Sequence, residues 1–213
     1  QMGFTGNIGA SFAYTPSYSL DCKPINAMSK LNYDDLKNFW WMDVYAYGRY
    51  PKAAMTYLQK KGFAPVFEDD DAEVLKRAAE KISFMGVNYY QSCVCEYNPE
   101  DGVTPYGVMN TTGKKGSSTI TGIQGVYKNP PNPYLMTTDW DWSIDPSGLA
   151  YCCREITSRY DLPIVISENG LGAFDKKEDD NSIHDEYRIV YLKEHLKALY
   201  KAIKEGCTVL AYC

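Results

Sequence analysis

The stretch Leu162-Pro163-Ile164-Val165-Ile166-Ser167-Glu168-Asn169-Gly170 decides how this chain is read. An apolar run from Leu162 to Ile166 passes through one serine into a carboxylate, and Asn-Gly marks a turn directly after it. So short and dry a run suits a buried strand, and its end places a charged group where apolar packing stops and a cleft can begin. Upstream, Ile82, Phe84, Met85, Gly86 and Val87 form a second, mostly continuous apolar run that ends in Asn88, Tyr89 and Tyr90. Continuous apolarity, as opposed to strict alternation, is what a parallel strand covered on both faces requires.

The segments around these two runs supply the rest of the pattern. Residues 6–14 read as a further strand, closed by Pro16. Residues 33–47 suit a helix, with Asp34 and Asp35 near its start and Leu36, Phe39, Trp40, Val44 and Tyr47 as its apolar face. Residues 51–57 read as a short helical turn, and 69–81 and 149–160 as helices. The strongest periodicity is at 185–204, where Ile189, Leu192, Leu196, Leu199 and Ile203 recur at three- and four-residue intervals. Gly206 closes that helix, and 208–211 reads as one more buried strand. Strands alternating with helices predict an α/β protein with parallel strands. The connection at about 97–133 is rich in Gly, Pro, Thr, Ser and Asn, with only a strand-like piece at 119–123; such a length indicates a binding loop, a lid or partial disorder within a single domain.

Composition bounds the function. The chain has 213 residues, enough for one substantial core, and a formal charge of −5 with no block of lysine and arginine, which argues against nucleic acid as a partner. No apolar run approaches the roughly 20 residues that cross a bilayer, and no basic-then-apolar leader opens the chain; the expected location is cytoplasmic. The cysteine count, 7, is odd, so the thiols read as reduced. Cys93 with Cys95, Cys152 with Cys153, and two histidines at His184 and His195 do not make a tetrahedral metal set, so no metal is expected. His195, at helical spacing from Tyr191 and Leu199, reads as a structural residue. Tyrosine is abundant at 19, and Trp40, Trp41, Trp140 and Trp142 come in two close pairs, side chains that serve carbohydrate pockets as well as packing.

Crossover connections restore strand direction, so Asn88, Tyr90 and Glu168 leave the sheet at one edge, the edge where barrels and open α/β sheets bind ligands. The residues alone leave two readings open: a pocket holding a carboxylate, a phenol and an amide, or a polar cap on strand ends.

Four motifs add a resemblance. Phe84-Met85-Gly86-Val87-Asn88-Tyr89-Tyr90, Trp142-Ser143-Ile144-Asp145-Pro146-Ser147-Gly148-Leu149, Ile166-Ser167-Glu168-Asn169-Gly170, and Asp185-Glu186-Tyr187-Arg188-Ile189-Val190-Tyr191-Leu192 with His195-Leu196 resemble, in order and spacing, the family 1 glycoside hydrolases. Within that family, Asn132-Pro133-Tyr134-Leu135 and Glu168 to Ala173 followed by Asp175 look most like the bacterial 6-phospho-β-glucosidases. The resemblance implies a (β/α)8 barrel, of which this chain covers roughly strands 5 to 8 over residues 1–213. It implies a retaining β-glycosidase acting on β-glucosides or 6-phospho-β-glucosides, with no cofactor. Glu168 takes the place of the nucleophile, and Tyr90 that of the group hydrogen-bonded to it. Asn88 comes near the sugar hydroxyls, Trp142 floors the sugar and aglycone region, and Trp140 is a further candidate there.

The chain also departs from the family. The family's acid/base glutamate belongs to an Asn-Glu-Pro motif that occurs nowhere here, and no residues that bind a 6-phosphate can be assigned. Glu68 and Glu96 are poor substitutes, since neither lies on a matching strand end. A half-barrel also has two open edges, which calls for a complementary N-terminal half or a second copy of the chain. The competing expectation is an inactive or self-associating half-barrel with at most a sugar-binding function. Asp185 and Arg188, polar residues that could be mistaken for catalytic ones, are expected to cap and tie the helix that they begin.

Overall fold

The computed structural model of the chain describes residues 5–99, 107, 110 and 112–213. In chain order, β1 (Ile8–Ala13) and β2 (Ser17–Ser19) lead into α1 (Pro24–Lys37), α2 (Phe39–Tyr47), α3 (Lys52–Lys61) and α4 (Asp71–Ala79). Then come β3 (Ile82–Tyr89), β4 (Cys93–Cys95), β5 (Gly122–Ile123), β6 (Tyr127–Lys128), α5 (Pro146–Tyr160), β7 (Ile164–Asn169), α6 (Glu186–Lys204) and β8 (Val209–Tyr212). The main sheet has the order β1-β3-β7-β8 and every pairing in it is parallel. Its strand ends therefore all open on one edge.

Packing gives the two faces of this sheet different characters. Met85, Val87 and Tyr89 of β3 and Ile164 and Ile166 of β7 are fully buried and join Leu149, Cys152, Cys153 and Ile156 of α5 and Leu199 and Ala202 of α6 in one core. Of the residues that alternate with them, Gly86 is buried, while Phe84 and Asn88 on β3 and Val165 and Ser167 on β7 are only half-buried. Continuous apolarity predicted cover on both faces. Helices cover one face, and the other lines the concave side of a curved sheet. A second, smaller core of Tyr33, Cys95, Val126 and Tyr127 ties α1 to β4 and to the β5-β6 hairpin.

Asp145 fixes α5 against the sheet. Its Oδ1 accepts the Gly148 N–H at 2.9 Å, an N-cap bond, while Oδ2 accepts from Tyr18 Oη at 2.8 Å and from Ser92 Oγ at 2.7 Å. The Tyr89 hydroxyl donates to the Asp145 carbonyl. Residue 148 has to be glycine in this arrangement, since a Cβ there would lie 2.3 Å from Tyr89 Oη.

Several local expectations are corrected. Residues 33–47 are not one helix: α1 starts nine residues earlier, where Pro24 sets the first turn, and it ends at Lys37. Asn38 separates α1 from α2, its side chain bonding both the N–H and the carbonyl of Thr15. Asp34 is consequently not a helix-start residue but a buried acceptor for Lys30, Ser17 and Asn38. Asp185 occupies the N-cap position of α6 without a side-chain cap bond, and its carboxylate pairs with Arg188 at 3.6 Å. Arg188 does tie the helix to its surroundings, through Asp175 at 2.8 Å and the Leu171 carbonyl. The strand-like piece at 119–123 shortens to β5, and the short parallel pair β2-β4 has no periodic signal at all. Within the long connection, residues 100–106, 108–109 and 111 lie outside the described residues.

Replacing Asp145 by Ala strands the Tyr18 and Ser92 hydroxyls and removes the side-chain cap of α5, and the expected cost is about 2–4 kcal/mol. A urea titration followed by circular dichroism checks it, and an unchanged midpoint would remove Asp145 as the anchor of α5.

Candidate active site

Glu168 reaches the concave face through an irregularity in β7. Val87 pairs with Ile166, yet the next residue of β3, Asn88, pairs with Glu168, so Ser167 and Glu168 together oppose a single residue. This is a β-bulge, which resets the alternation of side chains. Under strict alternation Glu168 would follow Ile164 and Ile166 toward the helices. With the extra residue, both Ser167 and Glu168 meet side chains of the concave face: Ser167 Oγ bonds Asn88 Oδ1 at 2.7 Å and Ser11 Oγ at 2.6 Å, and Tyr90 Oη donates to Glu168 Oε2 at 2.6 Å.

That last contact pairs a carboxylate with a neutral phenol. The hydrogen bond to Glu168, then burial, then the charge of the carboxylate push the Tyr90 phenol up to about 12. A raised phenol is stabilising while it keeps its proton, below the ordinary tyrosine range near 10, and the contribution is lost as pH rises through about 12. Through the neutral range Tyr90 is thus a donor held to Oε2. Oε1 makes no hydrogen bond to any of the described residues, and the Glu168 side chain is solvent-exposed.

An aromatic row continues from Tyr90. Its ring centroid lies 5.4 Å from that of Trp142, and Trp142 lies 5.8 Å from Trp140 in an edge-to-face arrangement. The turn bearing both tryptophans is held by Thr138, whose Oγ1 accepts the N–H groups of Trp140 and Trp142 at 3.2 Å. Asp141 within it adopts a left-handed φ of 64° and accepts the N–H groups of Gly116 and Ser118. Gly172, in the loop after Glu168, packs its backbone on the Trp140 indole; a Cβ there would lie 2.7 Å from the ring. The Glu168 loop and the tryptophan turn are therefore in direct contact. Apolar C–H faces of a sugar ring suit such a row, and its hydroxyls suit the carboxylate beside it.

The structure brings Glu168, Tyr90, Trp142 and Trp140 together. Asn88 shares their face, but its Oδ1 accepts from Ser11 Oγ at 2.6 Å as well as from Ser167, so that oxygen is engaged within the sheet. Of the two substitute acids, Glu96 pairs with Lys128 at 3.5 Å, and Glu68 is exposed ahead of α4. Sequence reasoning missed the residues immediately behind Glu168. Asn169 donates to the Tyr89 carbonyl at 2.9 Å and accepts from Tyr212 Oη at 2.8 Å. The available signal was its position, a polar residue between a strand end and a glycine.

Comparison with known proteins identifies a family. A family model described as Glycosyl hydrolase family 1 matches residues 1–213. The aryl-phospho-beta-D-glucosidase BglC of Bacillus subtilis (strain 168) is 48% identical over 208 residues, covering 98% of this chain and 43% of that protein. The 6-phospho-beta-glucosidase AscB of Escherichia coli (strain K12) is 31% identical over 205 residues, covering 96% of this chain and 39% of that protein. Among solved structures, a family 1 β-glucosidase from Thermotoga maritima superposes with a TM-score of 0.78 at 22% identity, over 97% of this chain and 41% of its own. A β-glucosidase from Exiguobacterium marinum gives 0.78 at 25% identity, over 99% and 42%. The chain spans about two-fifths of the length of these relatives, and its four-stranded parallel sheet is part of a (β/α)8 barrel.

Replacing Glu168 by Ala removes the acceptor that holds the Tyr90 proton. Tyr90, followed by carbon-13 labelling of its ring, is expected to ionise near the ordinary value of about 10 in place of about 12. Ionisation at the wild-type pH would show that something other than Glu168 raises it.

Proposed function

The chain belongs to glycosyl hydrolase family 1, and we propose that it forms the nucleophile-bearing part of a retaining β-glycoside hydrolase that cleaves 6-phospho-β-glucosides. The observation that carries the reading is the 2.6 Å contact between Tyr90 Oη and Glu168 Oε2, at adjacent strand ends and beside an aromatic row. Glu168 attacks the anomeric carbon, and the glycosidic oxygen departs with a proton from a second carboxylic acid. Water then releases the sugar from the covalent glycosyl-enzyme, with the second carboxylate as base. Tyr90 holds the nucleophile aimed, and Trp142 and Trp140 pack against the sugar and its aglycone.

Retention requires the two carboxyl groups to lie about 5–5.5 Å apart across the scissile bond. With no Asn-Glu-Pro in the chain, the acid/base comes from the rest of the barrel, a complementary N-terminal half. The phosphorylated substrate is favoured by the names of the relatives, an aryl-phospho-β-D-glucosidase and a 6-phospho-β-glucosidase. A sugar phosphate is charged and does not cross a bilayer unaided, which goes with a cytoplasmic enzyme. No helix among the described residues is long and apolar enough to span a membrane.

A second reading has support of its own. The outer strands of the sheet, β1 and β8, each have one unpaired edge, and Ile8 and Leu210 are 46% and 58% exposed. Such edges favour association of the unclosed chain with a second copy, giving a sugar-binding or inactive assembly.

The test combines this chain with an N-terminal barrel half and assays 4-nitrophenyl β-D-glucoside 6-phosphate. Glu168→Gln is expected to lower kcat by about a thousandfold or more with the fold retained. Turnover equal to wild type would dismiss Glu168 as nucleophile, and a stable homodimer that refuses the second half would favour the second reading.

A further inference from the structure

The bulge at Ser167 and Glu168 shifts the register of the last pairs of β7, Asn88 with Glu168 and Tyr89 with Asn169, and side chains add to what holds this strand end. One side chain reaches both the Tyr90 backbone and the side chain of the residue after Glu168 from behind. Tyr191 of α6 is 4% exposed; its Oη donates to the Tyr90 carbonyl at 3.3 Å and accepts from Asn169 Nδ2 at 3.2 Å. Asn169 is the residue after Glu168, and its amide is further fixed by the Tyr89 carbonyl at 2.9 Å and Tyr212 Oη at 2.8 Å. Strands β3, β7 and β8 and helix α6 therefore meet at one side-chain amide and one phenol.

His195 braces that phenol. It is fully buried, its ring stacks on the Tyr191 ring at 3.8 Å and 27°, and its Nδ1 lies 2.7 Å from the Tyr191 carbonyl. Burial holds the imidazole below its ordinary pKa, so the ring that stacks is neutral. A phenylalanine at position 191 would fill the same volume. Among the described residues, it is the hydroxyl that makes the hydrogen bonds from α6 to the Tyr90 carbonyl and the Asn169 amide.

We infer that Tyr191, braced by His195, is a positioning residue that sets the Tyr90 phenol against the Glu168 carboxylate by holding the Tyr90 carbonyl and the Asn169 amide together. The inference rests on the catalytic reading of Glu168 and Tyr90, yet the contact it concerns is measurable without any turnover.

The experiment labels tyrosine ring carbons in this chain, assigns Tyr90 with Tyr90→Phe, and follows its ionisation from pH 8 to pH 11. In the wild type Tyr90, pushed up to about 12, stays largely protonated over this range. Tyr191→Phe is expected to raise its ionisation constant about tenfold, so that it titrates visibly by pH 11. Leu199→Ala, which loosens the same helix in the core away from Asn169 and Tyr90, is expected to lower Tm and leave the Tyr90 titration in place. Should Tyr191→Phe not fold, Tyr212→Phe, which frees the other side of the Asn169 amide, carries the test with the same expected direction. A wild-type Tyr90 titration in every folded variant of Tyr191 and Tyr212 would overturn the inference. Because the readout is the phenol itself, that result is distinct from a Glu168→Gln enzyme that keeps its turnover, which would instead overturn the catalytic reading.

Discussion

One extra residue in β7 determines what this sheet can do. Because Ser167 and Glu168 both oppose Asn88, the carboxylate that alternation would bury against the helices meets Tyr90 on the concave face instead. The neighbouring features follow from that placement. The phenol of Tyr90 is raised because a carboxylate accepts its proton, Asn169 is free to turn back onto the Tyr89 carbonyl, and the loop after it passes close enough to Trp140 that residue 172 must be glycine. A rigid scaffold with a local break at its strand end is a common means of aiming a reactive group.

In the proposed reaction this sheet supplies one of two carboxyl groups. Glu168 is exposed and bonded through one oxygen, and retaining hydrolysis uses a second carboxyl group across the scissile bond. The open edges carry a matching structural demand. On α6, Ile189, Leu196 and Tyr200 are exposed along one stripe, and Trp41 and Tyr45 of α2 are exposed beside β1. Apolar surface of this kind, at both ends of a parallel sheet, is what neighbouring barrel helices cover. Under the proposed function, the second carboxyl group and the cover for these surfaces both fall to the rest of the barrel.

Much of the fold was legible because the signals are strong and local. The dry runs at 82–87 and 162–166 became β3 and β7, and the stripe at 185–204 became α6, since hydrophobic periodicity reports burial directly. The break at Asn38 was hidden because α1 and α2 present a continuous apolar pattern while the separation depends on hydrogen bonds to Thr15, distant in sequence. The β2-β4 pair was hidden for a related reason: three residues are too few for a period. At the site, Glu168 and Tyr90 could be placed at one edge by counting crossovers. The bulge could not, because it lives in the pairing between two strands and leaves no mark in either one. Tyr191 and His195 looked like ordinary members of a helix face, and their hydroxyl and ring contacts emerge only once α6 is laid on the strand ends.

The most direct test of the account traps the intermediate. A 2-deoxy-2-fluoro-β-glucoside 6-phosphate with an activated aryl leaving group should glycosylate the completed barrel, the carboxylate displacing the aryl oxide from the anomeric carbon to form a glycosyl ester, and the fluorine slows its hydrolysis so that the adduct survives digestion. Mass spectrometry of the peptides is predicted to find the sugar phosphate on the fragment bearing Glu168, and to find none when Glu168 is Gln. A label on any other carboxylate, with Glu168 unmodified, would contradict the central claim that the bulge in β7 presents the nucleophile.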